Sequence, residues 1–355
     1  MTMEFVTKKA PIVQNSQRTY KRSLNLHIAL LVVALASVVV KAFVTVPDDA
    51  GFTALDQAFK AFMMLAVGAF ASVLIELVYS LFEGTVSKFE QYKAYVEPIS
   101  TGLLIAMLLP TITPIYVLLL AVFVGVFAGK LVYGGYGFYI FNPALVGALF
   151  AKLSFKAQLV VDGTPLILFK DSMNGASYTF NSIWPLIVGN YEAIAIGSTS
   201  VLILFLAFIY LCVTRVIDLR IAFTYLISIV LITLVVGYIN DFNLSFSLIN
   251  LLVGLTAFSA VFLISEPVST PTSRETKMIY AAVVAVIMMA VRILGTQTEG
   301  LIFAILFGNM ITPFLNRTVK RSDAKSFLTT LIVLVIVVVG LAFVIGNVLK
   351  NGGIA

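Results

Sequence analysis

Residues 171–177 form a short polar stretch, Asp-Ser-Met-Asn-Gly-Ala-Ser, that lies between long apolar runs of the chain. Gly175 and Ala176 place almost no side-chain bulk before Ser177, so the serine hydroxyl is open to an incoming group and can form a phosphoester. The carboxylate of Asp171 could orient a nucleotide or a metal ion. The same residues also suit an ordinary solvated turn, because Asn-Gly is a common turn dipeptide. On these residues alone the plain turn is favoured over a hydroxyl acceptor.

Thiol and imidazole ligands are almost absent from the sequence, which contains one cysteine, Cys212, and one histidine, His27. An iron–sulfur cluster takes up to four thiolates, haem needs axial partners such as His, Met or Cys, and catalytic zinc needs three protein ligands. This chain alone therefore cannot build a cluster or a zinc site, and we predict no metal site. Any redox role must rest on an organic cofactor.

The composition places the chain in a membrane. It has 355 residues, of which 60% are hydrophobic and 11% are charged, whereas a soluble protein would have about 25% charged residues. Apolar runs of about 20 residues match about 30 Å of hydrocarbon, so we predict an all-α polytopic membrane protein with about 10–11 transmembrane segments. Residues 98–110 and 139–152 are too short for full spans and suit half-helices or tightly packed internal helices. The predicted segments are 24–46, 58–82, 98–110, 114–133, 139–152, 194–214, 219–239, 244–264, 277–294, 299–315 and 326–348.

Basic residues indicate the orientation of this bundle, since short cytoplasmic loops are enriched in Lys and Arg. The leader, residues 1–23, is basic and is predicted to be cytoplasmic, followed by a transmembrane bundle over 24–348 and a tail over 349–355. If successive loops alternate between the two sides of the membrane, the other basic loops are cytoplasmic and the long polar stretch 153–193 is extracytoplasmic. The membrane is predicted to be the cytoplasmic membrane of a prokaryote. The formal charge of +6 thus indicates topology, and we predict no nucleic-acid partner.

Two stretches of the sequence, 100–150 and 258–316, share an order of motifs. Each has a helix that ends at Pro, then a base before a Gly turn, then an Asn-containing segment punctuated by Pro. Because five segments separate the two starts, we expect inverted repeats with broken helices around 24–152 and 194–316, a pattern that places ligand sites near the membrane midplane. The alternative to a repeat is that Gly, Pro and Leu produce this shared order by chance.

Several of these motifs resemble a family that includes the B-type subunit of the sodium-pumping NADH:quinone oxidoreductase and the D-type subunit of the Rnf ferredoxin:NAD oxidoreductase. The best match is FAGKLVYGGYGFYIFNPALVG at 127–147. STGLLIAMLLP at 100–110, SEPVSTPTSR at 265–274 and EGLIFAILFGNMITPFLNR at 299–317 also match, in the right order. The combination of Gly-Gly-x-Gly with Phe-Asn-Pro-Ala in a membrane context is specific.

In that family an external loop carries Asp-x-x-(Ser/Thr)-Gly-Ala-(Thr/Ser), and a flavin transferase attaches FMN to the last hydroxyl. The resemblance therefore implies covalent FMN on Ser177. Two positions depart from the family pattern, because Asn174 replaces Ser or Thr and the acceptor is Ser where Thr is common. Thr179 is the nearest alternative acceptor. The other matching residues of the motif are Asp171, Gly175 and Ala176.

The resemblance also implies a second flavin, riboflavin or FMN, held inside the bundle without a covalent bond. Asn-Pro and Glu-Pro interrupt backbone hydrogen bonding in or beside the membrane, and freed amides at half-helix starts can hold an anionic or electron-rich ring. We expect these places to line flavin contacts, although close helix packing accounts equally well for any single Pro or Gly. The residues concerned are Lys130, Gly134, Gly135, Asn142, Pro143 and Glu266.

Two charged residues, Glu76 and Arg292, fall within or near predicted spans. An isolated charge there costs at least about 2.5 kcal/mol, so both are functional candidates. Glu76 could bear on cation movement, but the sequence gives it no partner. Arg292 could instead snorkel to the outer face of the membrane.

The resemblance implies an electron-transfer subunit that is not catalytic alone, in a complex that couples electron transfer to export of sodium ions or protons. The short leader and the Thr-Pro-Thr at 270–272 favour the D-type subunit of an Rnf complex over the B-type subunit. The implied partners are other integral and peripheral subunits, including an extracytoplasmic flavin-carrying subunit, together with a flavin transferase and membrane lipid. Two other classes stay open: a small-solute channel or transporter, which has no need of the 171–177 loop, and an assembly subunit that has lost its flavin.

Overall fold

The structure, a computed structural model, describes most of the chain. The described residues are 16–43, 53–83, 96–159, 164–178, 180–189, 195–253, 255–295, 300–318 and 324–352. Every regular element in these ranges is helical, and none of them is a strand. The predicted all-α class is confirmed.

We number the α-helices in chain order. Short 3-10 turns at Leu131–Tyr133 and Lys156–Gln158 and π-helical turns at Val124–Ala128 and Ser259–Leu263 connect or extend them. The helices are α1 (Ser16–Phe43), α2 (Ala54–Phe82), α3 (Val96–Met107), α4 (Ile115–Phe123), α5 (Pro143–Ser154), α6 (Thr164–Met173), α7 (Phe180–Val188), α8 (Val201–Val213), α9 (Leu219–Ile239), α10 (Leu244–Leu252), α11 (Thr256–Phe258), α12 (Arg274–Leu294), α13 (Leu301–Thr318) and α14 (Ala324–Lys350).

Seven of the described helices are long and apolar enough to cross a membrane, and an eighth span is possible if the bent pair α10 and α11 counts as one. Three shorter apolar helices, α3, α5 and α8, accompany them. Each of the predicted segments overlaps one of these helices. At 12 residues each, α3 and α5 are about 18 Å long, which is too short to cross the hydrocarbon alone. The prediction of short helices at these two places is confirmed.

The structure adds breaks and short helices to the predicted organisation. Residues 244–264 form two helices that meet at 57° where we predicted one segment. The predicted segment 114–133 is confirmed as one span, Ile115–Tyr133, but it consists of α4, a π-helical turn and a 3-10 turn, with the amide of Gly129 bonded to the carbonyl of Val124 at 3.1 Å. The polar stretch 153–193 contains the helices α6 and α7. Apolar runs do not distinguish a straight helix from a broken one, because both bury the same side chains.

Close backbone contacts hold the short helices inside the bundle. A Cβ on Gly102 of α3 would lie 2.1 Å from the carbonyl oxygen of Gly68 on α2, so only two glycines allow these helices to approach this closely. In the second half of the chain α9 packs against both α12 and α14. The outer surface is apolar, with Phe223 and Phe303 exposed. The inverted repeat over 24–152 and 194–316 stays a prediction.

Candidate functional site

The stretch that contains Ser177 begins as the end of a helix. The amide of Ala176 donates to the carbonyl of Asp171 at 3.0 Å, and the amide of Gly175 donates to the carbonyl of Ser172 at 3.4 Å. Gly175 has φ +84°, the left-handed conformation that ends a helix in a Schellman motif. A Cβ on Gly175 would meet nothing within 4 Å. Gly175 therefore serves the backbone conformation, and the expectation that it leaves the acceptor sterically open stays a prediction.

The amino-terminal turn of α10 holds this loop on both sides of Ser177. The Nδ2 atom of Asn243 donates to the carbonyl of Gly175 at 2.7 Å, and the amide of Tyr178 donates to the hydroxyl of Ser245 at 3.1 Å. The hydroxyl of Ser177 itself is exposed and forms no hydrogen bond within the described ranges. A free hydroxyl on an anchored loop is what an acceptor for a bulky group requires.

Asp171 lies in the last turn of α6, not in the loop. Its carboxylate accepts a hydrogen bond from the hydroxyl of Tyr178 at 3.2 Å. Partial burial and the adjacent carboxylate of Asp171 raise the pKa of Tyr178, so the phenol keeps its proton and remains a donor at neutral pH. Asp171 thus closes the loop around Ser177. The alternative acceptor Thr179 lies outside the described residues.

A second group of predicted residues gathers around Lys130, which is only 1% exposed. Its ammonium group forms ion pairs with Glu76 of α2 and Glu97 at the start of α3. Lys130 follows Gly129, the residue that ends the π-helical turn, and this turn places one extra residue at the end of α4. Glu76 therefore has the partner that the sequence did not reveal, and Glu97 is a cluster member that it missed.

Glu266 extends this group from the other half of the chain. Its carboxylate accepts hydrogen bonds from the hydroxyls of Tyr139 and Ser269, and it is close enough to Lys130 to interact with it electrostatically. We call Glu76, Glu97, Lys130, Tyr139 and Glu266 the charged cluster. Three carboxylates around one lysine form a dense set of charges in the interior of a membrane protein, where charge is costly.

Residues 134–138, which we call the glycine loop, lie beside the charged cluster. The amide of Gly135 donates to the carbonyl of Lys130 at 3.2 Å, and Gly134 and Gly135 take φ +101° and +88°. These left-handed conformations suit glycine and reverse the chain after the 3-10 turn. Tyr136 and Phe138 in the same loop are exposed. The prediction that Gly134 and Gly135 contribute to a flavin site with Lys130 stays a prediction.

Asn142 and Pro143 start α5, with Asn142 as the N-cap and Pro143 as the first helical residue. The side-chain oxygen of Asn142 accepts from the amide of Ala144 at 2.9 Å. The side-chain nitrogen of Asn309 in α13 donates to the hydroxyl of Tyr280 when its amide group is oriented to match its neighbours. In this orientation the side-chain oxygen of Asn309 accepts from the backbone N–H of Asn142 at 3.1 Å. The two asparagines that occupy equivalent places in the proposed repeats therefore touch. The Nδ2 atom of Asn142 is buried and has no hydrogen-bond partner in the described part of the chain.

The Ser177 loop and the charged cluster lie at opposite ends of α9. The loop is bound by Asn243, which follows the end of α9, whereas Glu266 lies in the segment before Lys277, which pairs with Asp218 at the start of α9 at 2.9 Å. With 21 residues, α9 is about 31 Å long. The predicted site residues therefore form two groups and not one.

A family comparison agrees with the sequence motifs. The model of the NQR2, RnfD, RnfE family matches residues 6–325. The chain belongs to the NQR2, RnfD, RnfE family. The resemblance on which the sequence interpretation depended is thereby confirmed.

Curated relatives of this family member are named as the B subunit of a Na(+)-translocating NADH-quinone reductase. The protein from Pseudomonas aeruginosa (strain LESB58) is 29% identical over 245 residues, which cover 63% of this chain and 60% of the relative. Those from Ectopseudomonas mendocina (strain ymp) and Azotobacter vinelandii (strain DJ / ATCC BAA-1303) are 28% and 27% identical over 244 and 241 residues, with the same two coverages. The chain thus spans about 60% of the length of these relatives. Their names favour the B-type over the D-type subunit that we expected.

Arg292 of this family member is buried, at 1% exposure, so the snorkelling alternative is wrong. Its guanidinium donates to the carbonyl of Asn250 and to the hydroxyl of Thr256, each at 2.9 Å. These two residues flank the break between α10 and α11. Arg292 therefore satisfies backbone and side-chain acceptors that the broken helix leaves inside the membrane.

Proposed function

We propose that this protein is a membrane-embedded electron-transfer subunit of an ion-translocating oxidoreductase, carrying FMN in phosphoester linkage to Ser177. Bound FMN would supply the redox chemistry, and the chain would fix its position. The observation that carries the proposal is the Ser177 loop, in which an exposed hydroxyl lies between two anchored residues. The chain's membership of the family supports the same assignment.

The residues around Ser177 fit such a group. The space beside Gly175 is open, and the hydroxyl of Ser177 is available to become the bridging oxygen of the phosphoester. Asp171 and Tyr178 hold each other at 3.2 Å, so the loop keeps its shape without contributions from Ser177. The departure at Asn174 fits as well, because Asn174 is exposed and its side chain is not part of the network that holds the loop.

A second flavin without a covalent bond is proposed for the other end of the bundle. The unpartnered Nδ2 atom of Asn142 and the adjacent glycine loop would bind and orient it there. A buried donor that lacks a partner costs about 1–3 kcal/mol unless a ligand satisfies it. The charged cluster would lie beside that flavin and would place the charges of its lysine and its carboxylates close to the flavin.

The B-type subunit of a sodium-translocating NADH-quinone reductase is the assignment that the relatives' names support. The D-type subunit of an Rnf complex is the second candidate, supported by the Thr-Pro-Thr at 270–272. In either complex the chain would lie in the cytoplasmic membrane with the Ser177 loop outside, facing an extracytoplasmic flavin-carrying subunit. A flavin transferase would mature it, and other integral and peripheral subunits would complete the electron path.

Mass analysis of the chain produced together with a flavin transferase tests the proposal. We expect an FMN-sized increment on the peptide that contains residues 171–179, lost in Ser177→Ala and kept in the matched control Thr179→Ala. An increment that survives in Ser177→Ala and disappears in Thr179→Ala would move the site to Thr179. The absence of any increment on the wild-type chain would contradict the covalent flavin and favour a channel, a transporter or an assembly subunit.

A further inference from the structure

A polar cavity of about 410 Å³ opens between the starts of α9 and α12. It lies at the end of α9 away from the Ser177 loop and is separate from the charged cluster. Its walls are Asp218, Arg220, Thr272, Ser273, Arg274 and Lys277. Three bases face one acid, and two hydroxyl groups complete the lining.

The charges of this cavity do not cancel. Asp218 pairs with Lys277 at 2.9 Å and also accepts from the backbone amide of Arg220 at 3.1 Å. The side chains of Arg220 and Arg274 are exposed and form no ion pair with another described residue. The single carboxylate of Asp218 interacts with Arg220 as well as with Lys277, so the three bases exceed the one acid by two charges. Each guanidinium group has a planar fork of donors that matches phosphate oxygens.

The backbone adds to this positive field. Ser273 is the N-cap of α12, a helix of 21 residues, and its hydroxyl accepts from the amide of Thr276 at 3.3 Å. The positive end of the α12 dipole therefore lies at the wall of the cavity, where the buried Glu275 of the same turn partly offsets it. Thr272 is held in place by Asn316, which accepts from its amide at 3.1 Å. The cavity thus has fixed walls on the α12 side.

The position of the cavity indicates the source of the anion. Leu219 and Phe223, on the first turns of α9, are 44% and 50% exposed, so the apolar outer surface begins directly beside the basic residues. Phosphate groups of lipids lie at this boundary, and basic pockets between membrane helices bind anionic headgroups. We propose that this cavity binds a phosphate group, supplied by the headgroup of an anionic phospholipid.

Basic residues on this face also serve membrane orientation, and a matched control separates the two roles. The cavity variant Arg220→Gln/Arg274→Gln removes the two unpaired guanidinium groups. The control Lys21→Gln/Arg22→Gln removes two exposed charges at the start of α1. This part of α1 lies on the same face as the cavity, because Tyr210 bonds to Asn25 at 3.4 Å. Tyr210 lies near the end of α8, which leads directly into the start of α9. The single variant Arg220→Gln serves as a second test if the double variant does not fold.

Native mass spectrometry of the purified full chain, titrated with phosphatidylglycerol in detergent, measures binding. We expect the cavity variant to lose affinity by about tenfold or more, since each charge-assisted hydrogen bond contributes at least about that factor, and the control to retain it. A parallel titration with inorganic phosphate at constant ionic strength distinguishes the sources. Weak phosphate binding beside tight phosphatidylglycerol binding supports the lipid headgroup, whereas equally tight phosphate binding, lost in the cavity variant, supports a free phosphate.

Equal affinity in the wild type and the cavity variant would overturn the proposal, and so would an equal loss in the control. A cavity variant that keeps its phosphatidylglycerol affinity but no longer retains another subunit of its complex would also overturn it, because the basic residues would then bind an acidic protein surface.

Discussion

Gly175 shows how a single residue can set the geometry of the Ser177 loop. Its left-handed φ of +84° lets the chain leave α6 and present Ser177 to solvent. The nearby bonds to Asn243 and Ser245 depend on this exit direction. The position has room for a side chain, so only the backbone conformation restricts it.

We therefore predict that Gly175→Ala loses covalent flavin while Gly175→Asn retains it. Alanine in the left-handed region costs about 1–2 kcal/mol, whereas asparagine visits this region readily. The flavin content of each purified variant, measured by its fluorescence after denaturation, tests this difference. If both variants carry as much flavin as the wild type, the Schellman geometry is not required for attachment.

Lys130 is the residue on which the charged cluster depends. We predict that Lys130→Met lowers the stability of the folded chain by about 3–5 kcal/mol, because it leaves Glu76 and Glu97 buried without a counter-charge. Thermal unfolding in detergent measures the loss. The control Lys156→Met, at an exposed position, should unfold like the wild type, and Lys130→Met/Glu76→Gln should recover part of the loss. An unchanged Lys130→Met protein would show that the cluster is not a structural unit.

Sequence patterns pointed to single candidate residues more readily than to their partners. The Asp-x-x-x-Gly-Ala-Ser pattern indicated Ser177 through a resemblance, and helix-breaking residues indicated the places beside Lys130 and Glu266. Tyr178 and Ser245 gave no such signal, since a hydrogen bond across distant helices leaves no local pattern in sequence. Asp171 matched the loop motif, but the structure places it in the last turn of α6, and its bond to Tyr178 depends on how that helix ends.

At the scale of the helices, apolar length predicted each segment but not its continuity. The π-helical turns before Lys130 and at Ser259–Leu263 change the hydrogen-bond partner by one residue, from the i+4 to the i+5 amide, and leave the apolar pattern unaltered. The helices α6 and α7 were missed because the stretch 153–193 is polar and short helices carry little periodicity. Both kinds of error lie next to the two candidate sites.

The contact of α2 with α3 is a prediction at this scale. Gly102→Ala should lower the midpoint of thermal unfolding strongly, because its new methyl group would meet the carbonyl of Gly68 at 2.1 Å and force the two helices apart. Gly340→Ala in α14 is the matched control, since a Cβ there meets nothing within 4 Å. Alanine in the middle of that helix should be neutral or stabilise it by up to about 1 kcal/mol. Equal midpoints for the two variants would contradict the close contact.

At the scale of the whole molecule, the two groups of candidate residues lie towards opposite ends of α9, whose 21 residues extend over about 31 Å. That distance matches the hydrocarbon thickness of a membrane. An exposed hydroxyl towards one face and a buried charged cluster towards the other are consistent with the two flavin sites that we propose. Its apolar flanks, such as α14, of which only 17% is buried in the spanning window, leave room for lipid or neighbouring subunits.

The central claim is that a flavin on Ser177 lies on the electron path of the assembled complex. Membranes that contain the complex with Ser177→Ala or with Ser177→Thr are compared in electron transfer from NADH to a quinone and, in parallel, from reduced ferredoxin to NAD. We predict that Ser177→Ala abolishes the activity that the wild type shows, while Ser177→Thr retains it because the acceptor hydroxyl is kept. Wild-type electron transfer in Ser177→Ala, with the complex fully assembled, would contradict the account.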